Sequence, residues 1–559
     1  MKLLSDITSQ KLRGGYYTPK ELCDFIIEWA FFDGPKANVL EPSTGDGGFL
    51  DRLNKSRFND HFESCVAIEL IEEEAEKARK KVINNPKFQV INSDFFHEFQ
   101  WGLRNQKYDL IIGNPPYIRY QYLTEDQRQT QSDILVSNGM KSNKLINAWV
   151  SFVVASVQML SDNGKIGLVI PAELLQVAYA ADLRMFLEKS LSKITVITFR
   201  ELIFPDVQQE IVLLLGEKST DGLENKISVL ELENLDSIKA TLHEGLDKLP
   251  VEYKDVDHSK DKWTKFFLNN EEIALINEIG ENSSFLNFSD IADIDIGITT
   301  GKNKYFSVDK NTVEKYELEN VTLPLIGRSA HAHGIYFNQA DWESNIEEDL
   351  LAQLVYFPNE PRDNFPNPHK EYIKWGEESG LSKGFKLGKR AYWYHIPSVW
   401  VPDAFFLRRN DKFPKFVLNQ INAVSTDTMH RIRFNEGLNH RKILLSYYNS
   451  ISFAFTEIEG RSYGGGVLEV LPGEAEKILL PNLQDFDDQS TEELLELIDA
   501  TIRNKTDIEP ILDMVDKAVL VDFLNIDPNK VKQFRGIWKK LLNRRRLRKA
   551  KNGEQTDKA

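Results

Sequence analysis

Short apolar runs alternate with stretches of helical periodicity along the first 120 residues of the chain. Four of these runs have the length of a single buried strand, and they occupy residues 39–40, 65–68, 88–91 and 110–112. Each run ends in glycines or polar residues, and stretches of helical length separate the first three. Strands that alternate with helices form a parallel sheet, and the carboxyl ends of parallel strands share one edge. The pattern therefore predicts an α/β domain with its polar clusters gathered at that edge.

An amphipathic helix is predicted ahead of the first strand, over residues 21–32. Its apolar face carries Leu22, Phe25, Ile26 and Trp29. Thr18 fits the N-cap position of this helix, with Pro19 as its first residue. We expect the Thr18 hydroxyl to cap the helix, a role that is compatible with a second one at a ligand.

The pattern becomes less regular after residue 117. Residues 118–144 are polar and lack strand periodicity, so we expect a mobile lid or a substrate-facing loop there. A helix is predicted next over residues 148–160, followed by strands over 166–170, 194–199 and 211–215. Residues 217–262 are charged and mixed in pattern, which is typical of a crossover between domains.

Short strand-like pieces rich in aromatic residues begin at about residue 261, and they include residues 336–337, 391–394 and 451–455. After Pro481 the pattern is helical again. One apolar stripe in that last region consists of Phe534, Ile537, Trp538, Leu541 and Leu542. We therefore predict an α/β domain over residues 1–250, an α+β domain over 260–480 and a helical segment with a basic tail over 481–559.

The composition is that of an ordinary globular protein, with 41% hydrophobic and 28% charged residues in a chain of 559. The two cysteines form neither a metal-binding spacing nor a disulfide framework. The sequence shows no apolar run of membrane-spanning length and no signal peptide. These features favour a cytoplasmic protein that uses neither a metal nor a membrane.

The net charge of −16 weighs against a nucleic-acid partner, which usually requires a basic surface. The charge is unevenly distributed, however, because residues 530–551 hold eleven Lys or Arg and no acid. Residues 383–415 are also predominantly basic. An acidic protein still binds DNA where its surface is locally positive, so the basic tail is a candidate for phosphate contacts.

The loop Asn114-Pro115-Pro116-Tyr117 directly follows the fourth apolar run. Its two prolines stiffen the backbone, and it offers an amide side chain, a prolyl carbonyl and an aromatic ring. Two acceptors beside a stacking face suit a planar base with an exocyclic amino group. A proline-stiffened surface turn is the alternative, and the neighbouring clusters favour the ligand site.

The other three strand ends carry residues that suit an adenosine-like ligand. Glu41 precedes a glycine-rich turn, and an acid at that place suits a ligand with an ammonium group. Glu69 stands where an acid commonly binds ribose hydroxyls, and Asp94 with Phe95 offers an acid and a ring to an adenine. Their recurrence along one sheet edge predicts a single adenosine-type site. Phe204, in a later loop, fits a ligand contact and a core position equally well.

Together these motifs resemble those of the gamma class of DNA N6-adenine methyltransferases from restriction–modification systems, with a TaqI-like catalytic domain. The resemblance covers residues 14–216 and follows the order of motifs in that class. The motifs are Tyr-Thr-Pro, Glu-Pro-Ser-Thr-Gly-Asp-Gly-Gly-Phe-Leu, Ala-Ile-Glu, Ser-Asp-Phe-Phe, Asn-Pro-Pro-Tyr and Phe-Pro. Beyond residue 260 the resemblance is weaker, although residues 297–306 look like part of a target-recognition domain.

The resemblance implies S-adenosyl-L-methionine as the cofactor and a role for each motif, with no metal. The residues that it assigns to the cofactor are Thr18, Glu41, Pro42, Ser43, Gly45, Gly47, Glu69, Asp94, Phe95 and Asn114. The residues that it assigns to the target base are Asn114, Pro115, Tyr117 and Phe204.

The implied reaction is methylation of N6 of an adenine flipped out of double-stranded DNA at a specific site, which protects the host DNA from a cognate restriction endonuclease. The implied architecture is a Rossmann-like S-adenosylmethionine-dependent domain, then an α+β target-recognition domain and a helical segment, in a monomer. Three alternatives stay open. A methyltransferase of the same fold acts on RNA or on a protein glutamine, and a non-catalytic subunit only recognises DNA.

Overall fold

The computed structural model describes residues 17–204, 210–219, 225–256, 261–463 and 466–553. The chain forms two compact units, the first ending at Asn270 and the second beginning at Glu271. The helical residues after 481 belong to the second unit. In the described ranges, none of the helices combines the length and the apolarity that crossing a membrane requires.

Within the described residues, the first unit is built on a nine-stranded sheet. Its strands are β1 (Lys36–Glu41), β2 (Phe62–Glu69), β3 (Phe88–Asn92), β4 (Tyr108–Gly113), β5 (Leu160–Pro171), β6 (Lys193–Phe199), β7 (Ile211–Glu217), β8 (Lys226–Leu232) and β9 (Lys254–Asp255). Its helices are α1 (Lys20–Phe31), α2 (Gly48–Lys55), α3 (Glu72–Lys81), α4 (Phe95–Trp101), α5 (Glu125–Ser137), α6 (Ala148–Gln158), α7 (Ala181–Ser190) and α8 (Leu235–Glu244).

The strand order is β3-β2-β1-β4-β5-β7-β6-β8-β9. The first five strands in this order are parallel, and β7 runs antiparallel between β5 and β6. The order reverses between β1 and β4, and a parallel sheet usually binds its ligand at such a switch point. The predicted α/β, Rossmann-like fold class is confirmed.

Helix α1 covers one face of this sheet with the apolar side that its periodicity predicts. Leu22, Phe25 and Ile26 are fully buried in a cluster that also contains Val39 of β1. A Cβ at Gly167 in β5 would lie 2.6 Å from Ile26 Cγ2. Glycine at this position therefore lets the helix approach the strand closely.

The expectation of a loop over residues 118–144 is wrong, because α5 forms there. Thr124 and Gln127 close a capping box at its start. The buried face of α5 includes Thr130 and Gln131 beside its aliphatic residues, and Gln131 donates to the carbonyl of Ile146 at 3.2 Å. Polar residues on the buried face weaken the hydrophobic periodicity, so the sequence pattern gives little sign of a helix.

Residues 217–262 are not a crossover between domains, since they add β8, α8 and β9 to the first unit. The fold also continues past them. Trp263 is buried and donates its indole N–H to Glu188 Oε1 at 2.6 Å. The charged composition of this stretch hides strands that lie toward the edge of the sheet.

The second unit combines small sheets with many helices. Its strands are β10 (Phe285–Asn287), β11 (Ala292–Ile296), β12 (Ser307–Val308), β13 (Thr322–Ile326), β14 (Tyr336–Phe337), β15 (Gln353–Val355), β16 (Ala404–Leu407), β17 (Arg409–Asn410), β18 (Phe416–Asn419), β19 (Val424–Ser425), β20 (Met429–Phe434), β21 (Arg461–Tyr463), β22 (Val467–Glu469) and β23 (Leu479–Pro481).

Its helices are α9 (Asn270–Gly280), α10 (Phe288–Ile291), α11 (Asn303–Phe306), α12 (Lys310–Tyr316), α13 (Gln339–Glu347), α14 (Asn367–Glu378), α15 (His440–Tyr447), α16 (Ser450–Glu459), α17 (Pro472–Ala475), α18 (Asp488–Arg503), α19 (Glu509–Val515) and α20 (Pro528–Gly553), with a π-helix over Asp516–Phe523 between the last two. The largest sheet has the order β11-β20-β16-β18-β14. The predicted α+β character of this region is confirmed.

Two of the predicted strand-like pieces are wrong, because residues 391–394 lie in turns and residues 451–455 lie inside α16. Helix α16 is buried along most of its length, so both its apolar and its small polar residues face protein. The predicted stripe on α20 is confirmed, since Phe534 stacks on Phe455 and Trp538 packs against Phe453. Helix α20 is therefore fixed to α16 by its apolar side.

Candidate active site

The carboxyl ends of β2, β1 and β4 lie side by side and carry the polar clusters identified in the sequence. β1 ends at Glu41, β2 at Glu69 and β4 at Gly113. A Cβ at Gly113 would lie 3.5 Å from Glu41 Cγ, so the loop after β4 passes beside the turn after β1. The sheet thus brings three motifs, far apart in sequence, to one edge.

Glu41 is almost fully buried, with 1% of its surface exposed. Burial raises the pKa of Glu41 to about 8, and the Glu69 carboxylate adds to the rise. The Thr44 hydroxyl opposes it by donating to Glu41 Oε2 at 2.7 Å. The carboxyl group is therefore mostly protonated at neutral pH, and a cation beside it would favour the ionised form.

Glu69 ties the glycine-rich turn to the neighbouring strand. The N–H of Gly45 donates to Glu69 Oε2 at 2.8 Å, and the N–H of Ile71 donates to Oε1 at 2.9 Å. Burial raises the pKa of Glu69, while these two backbone hydrogen bonds lower it. Glu69 thus does structural work in the turn in addition to any contact with a ligand.

Two glycines give the turn its shape. Gly47 has a φ of 82°, and a Cβ there would lie 2.8 Å from Ala78 Cα in α3. Gly45 has a φ of 55°, and no described atom would lie within 4 Å of a Cβ there. Gly47 therefore packs tightly against the protein, whereas Gly45 leaves open space for a ligand.

Asp94 caps α4 and also contacts α5. Its Oδ1 accepts hydrogen bonds from the N–H of Phe96 at 2.7 Å and of His97 at 3.3 Å. Its Oδ2 accepts from Gln127 Nε2 at 2.5 Å. Sequence reasoning missed Gln127, since its segment was expected to be a loop, and the capping-box spacing from Thr124 was the signal that could have found it.

Phe95 lies inside the apolar core next to Asp94. Its ring is 4% exposed and stacks on Phe152 of α6 with 4.6 Å between the ring centres. The ring therefore packs α4 against α6, and little of it is exposed to a ligand.

Thr18 and Asn114, 96 positions apart, meet at the sheet edge. Asn114 Nδ2 donates to Thr18 Oγ1 at 3.2 Å, which orients the amide. The N-cap of α1 is Pro19, so the expected capping role of Thr18 is wrong. The sequence periodicity located the helix correctly but displaced its start by one residue.

Phe204 belongs to an apolar cluster of the first unit, and Tyr117 packs against the same cluster. The Tyr117 hydroxyl donates to the carbonyl of Val169 in β5 at 3.1 Å, and the ring packs against the cluster from its edge. Phe204 is a core member with 8% of its surface exposed. Residues 205–209, which include the proline of the Phe-Pro motif, lie outside the described residues.

A narrow crevice, too tight to hold a water molecule, lies between these elements. It is lined by Pro42, Ser43, Gly113, Asn114, Pro115, Phe152, Ser156 and Leu168. The crevice joins the turn after β1 to the loop after β4, which are the motifs assigned to the cofactor and to the target base. Phe152 and Ser156 come from α6, and nothing in the local sequence distinguished them from other buried helical residues.

Within the described ranges, no group of three or more His, Cys, Asp or Glu is placed to hold a metal ion. Cys23 and Cys65 are buried free thiols.

Three residues of the basic tail are engaged with the protein, and the phosphate contacts of the tail stay a prediction. Arg545 is 1% exposed and binds Glu457 through two nitrogens, at 2.9 and 2.7 Å. Lys539 pairs with Glu509, and Lys540 lies 2.7 Å from Glu272. A phosphate contact of Lys539 or Lys540 would compete with its ion pair, whereas Arg545 is buried against Glu457.

Comparison with known proteins identifies both parts of the chain. Residues 42–204 match the family of Eco57I restriction-modification methylases, and residues 260–520 match the C-terminal domain of the type II methyltransferase M.Eco57I. The type II methyltransferase M.AccI of Acinetobacter calcoaceticus is 24% identical over 529 residues, which cover 90% of this chain and 92% of that protein.

The type II methyltransferase M.HindII of Haemophilus influenzae is 25% identical over 363 residues, or 62% of this chain and 65% of that protein. Among solved structures, the type IIL restriction-modification enzyme MmeI in complex with DNA has a TM-score of 0.58 at 12% identity. The likeness covers 97% of this chain and 80% of that one, and it shows the fold. Since two family matches from one kind of enzyme span most of the sequence, the chain belongs to the gamma-class methyltransferases of restriction–modification systems.

Proposed function

We propose that this chain methylates N6 of an adenine that is flipped out of double-stranded DNA at a specific sequence, and so protects host DNA from a cognate restriction enzyme. The observation that supports it best is the position of the Asn114 loop. It lies at the carboxyl end of β4, directly beside the Glu41 turn and in contact with Thr18. The proposed sites of the methyl donor and of the base that receives the methyl group then share one sheet edge.

The cofactor of this family is S-adenosyl-L-methionine, which supplies an already activated methyl group when it is bound. The described residues fit it. Glu41 is a buried carboxyl group that an ammonium would ionise, and the open face of Gly45 admits a ligand against the backbone. We assign the methionine part to Thr18 and to the turn that comprises Glu41, Pro42, Ser43, Gly45 and Gly47.

Glu69 and the Asp94–Phe95 pair complete the proposed cofactor site. We assign the ribose hydroxyls to Glu69, which ends β2. Asp94, with one oxygen on the N-terminus of α4 and one on Gln127, is held rigidly enough to receive an adenine amino group. We assign Phe95 to the same adenine site, where its ring is packed on Phe152 of α6.

The residues assigned to the target base act by orientation. An adenine amino group is a poor nucleophile, because its lone pair is delocalised into the ring. Hydrogen bonds from that group to the Asn114 amide oxygen and the Pro115 carbonyl would localise the lone pair, and correct placement can supply several kcal/mol of the barrier. Flipping the base costs a few kcal/mol, which stacking on Tyr117 beside Phe204 offsets in part.

Nucleoside analysis tests the product directly. DNA from a host that expresses the chain is digested to nucleosides and compared by mass spectrometry with DNA from a host that expresses the Asn114→Ala variant. We expect N6-methyladenine with the first protein and none with the second. N4-methylcytosine in its place would overturn the base assignment, whereas methylated RNA or methylated protein glutamine with unmodified DNA would favour the other acceptors of this fold.

A further inference from the structure

One loop of the second unit exposes a large aromatic residue among lysines. The side chain of Phe385 is 80% exposed. Lys383, Lys386 and Lys389 are exposed on the same loop, and the ammonium of Lys389 lies 4.3 Å from the centre of the Phe385 ring. Isolated apolar residues are common on surfaces, but an aromatic ring surrounded by cations is a feature of surfaces that bind nucleic acids.

A second loop adds a fourth lysine to this surface. Gly301 follows the motif residues Thr299 and Thr300, and a Cβ there would lie 3.3 Å from Leu387 Cδ2. The side chain of Lys302 reaches to within 3.9 Å of the Cβ position of Gly384. The loop that carries the sequence motif of residues 297–306 therefore lies against the loop that carries Phe385.

Both loops are fixed to the core of the second unit. Arg390 donates to the carbonyl of Thr300 at 2.8 Å, and its guanidinium lies over the ring of Phe306. Leu387 is buried, with 1% of its surface exposed, only two residues after Phe385. Because Leu387 anchors the loop, the exposure of Phe385 is a property of the fold rather than of a loose segment.

The lysines of this surface lack acidic partners. In the part of the chain that the structure describes, Lys302, Lys383, Lys386 and Lys389 form no ion pair. Lys310, Lys374 and Lys517, also exposed on the second unit, pair with Glu314, Glu378 and Asp522. In a protein with a net charge of −16, four lysines without ion pairs on two adjoining loops form a local positive surface that suits an anionic partner.

We propose that Lys302, Lys383, Phe385, Lys386 and Lys389 form a surface that binds duplex DNA, with the lysines on phosphates and the Phe385 ring against base pairs. This inference rests on the proposed function, which makes DNA the substrate. The lysines give affinity without sequence information. The ring wedges against a base step, as apolar residues of DNA-bending proteins do.

The two kinds of contact predict different salt dependences. Each lost phosphate contact lowers the slope of log K against log salt by roughly 0.9, so Lys383→Ala/Lys386→Ala/Lys389→Ala should flatten it by about 2–3. Phe385→Ala should weaken binding about tenfold at every salt concentration and leave the slope unchanged, since stacking releases no counterions. Phe385→Tyr should restore the affinity.

The experiment titrates the full chain into a fluorescent mixed-sequence duplex and follows anisotropy over a range of KCl concentrations. Lys310→Ala/Lys374→Ala/Lys517→Ala is the matched control, because it removes three exposed lysines from the same unit. The control should bind like the unsubstituted protein. Equal losses of duplex affinity in the two triple variants would overturn the proposed DNA-binding surface. An unchanged duplex affinity of Phe385→Ala would also overturn it.

Two further measurements separate this inference from the proposed function. If the unsubstituted protein methylates duplex DNA and the Lys383/Lys386/Lys389 variant binds and methylates equally well, the surface is overturned and the proposed function stands. If the surface variants lose duplex binding while the unsubstituted protein leaves DNA unmethylated, the surface stands and the proposed function is overturned. Tighter binding to a single-stranded RNA than to the duplex would overturn the assignment to DNA.

Discussion

Burial gives the Glu41 carboxyl group an unusual protonation state at the sheet edge. Its pKa is raised to about 8 from an ordinary value of 4.5. The contribution of this group to stability is therefore complete below about pH 4.5 and is lost as the pH rises through about 8. A cation bound beside Glu41 would offset this loss of stability, because it stabilises the ionised carboxylate.

Proton release tests this property of Glu41. At pH 7 the free protein holds the proton, and an ammonium beside Glu41 would displace it, so cofactor binding should release up to about one proton. Calorimetry in buffers of different ionisation enthalpy measures the release. Glu41→Gln has no proton to displace at this position, so its proton release should be smaller by that amount. Equal release from the two proteins would exclude Glu41 as its source.

Asn114 and Thr18 should contribute unequally to catalysis. Asn114→Ala removes a contact with the target base, so we expect kcat to fall by roughly 10²–10³-fold or more with cofactor affinity retained. Thr18→Val removes the hydroxyl that accepts a hydrogen bond from the Asn114 amide at 3.2 Å. We expect a smaller fall in kcat for this variant, because the amide itself is retained. Methyl-transfer rates and cofactor calorimetry measure the two effects. A similar loss of cofactor affinity in Asn114→Ala would show that Asn114 acts mainly through the cofactor, which is the second role that the resemblance assigns to it.

At the scale of elements, α20 shows how one helix uses similar basic residues differently. Arg545 is buried against Glu457 and also donates to the carbonyl of Gly466 at 2.6 Å, whereas Arg546 next to it is exposed. The sequence of α20 presents a continuous basic run. Only the packing of α20 on α16 divides that run into structural and exposed residues.

Substitution of these neighbours should separate the two roles. Arg545→Ala leaves the buried Glu457 carboxylate without its partner, which costs about 3–5 kcal/mol of folding free energy. Arg546→Ala, the control at an exposed position, should change stability by less than about 0.5 kcal/mol. Thermal denaturation followed by calorimetry gives both values. Equal melting temperatures would show that the buried pair does not stabilise α20.

At the scale of the whole molecule, the first unit extends further than its sequence pattern indicates. Trp263 and Phe266 are 1% and 2% exposed, and Lys254 donates to the carbonyl of Phe266 at 2.8 Å. Arg184 of α7 donates to the carbonyl of Asp261 at 2.8 Å. The residues after β9 thus complete the core of the unit that holds the candidate active site.

Truncation at two positions tests where the first unit ends. A protein of residues 1–270 should fold and bind S-adenosyl-L-methionine, but it should not methylate specific sites, because base contacts would be lost with the second unit. A protein of residues 1–255 lacks Trp263 and Phe266, and losing a buried aromatic typically costs about 3–5 kcal/mol. Thermal melting and cofactor calorimetry compare the two proteins. Equal melting temperatures would show that the first unit folds without residues 256–270.

The sequence by itself determined the parallel sheet, the glycine-rich turn and the stripe on α20. Each depends on periodicity or turn chemistry within about ten residues, and local patterns of that length specify strands, turns and amphipathic helices. The order of the motifs likewise placed Glu41, Glu69 and Asn114 at strand ends, because a parallel sheet delivers its carboxyl ends to one edge.

Only the tertiary structure decided which of these residues meet and which polar groups are buried. The hydrogen bond between Asn114 and Thr18 and the contact of Gln127 with Asp94 join distant segments. The polar buried face of α5 and the burial of Arg545 are opposite to what residue polarity alone predicts. The Gln131 Nε2 group donates to the carbonyl of Ile146 and Arg545 pairs with Glu457, and no local pattern records these partners.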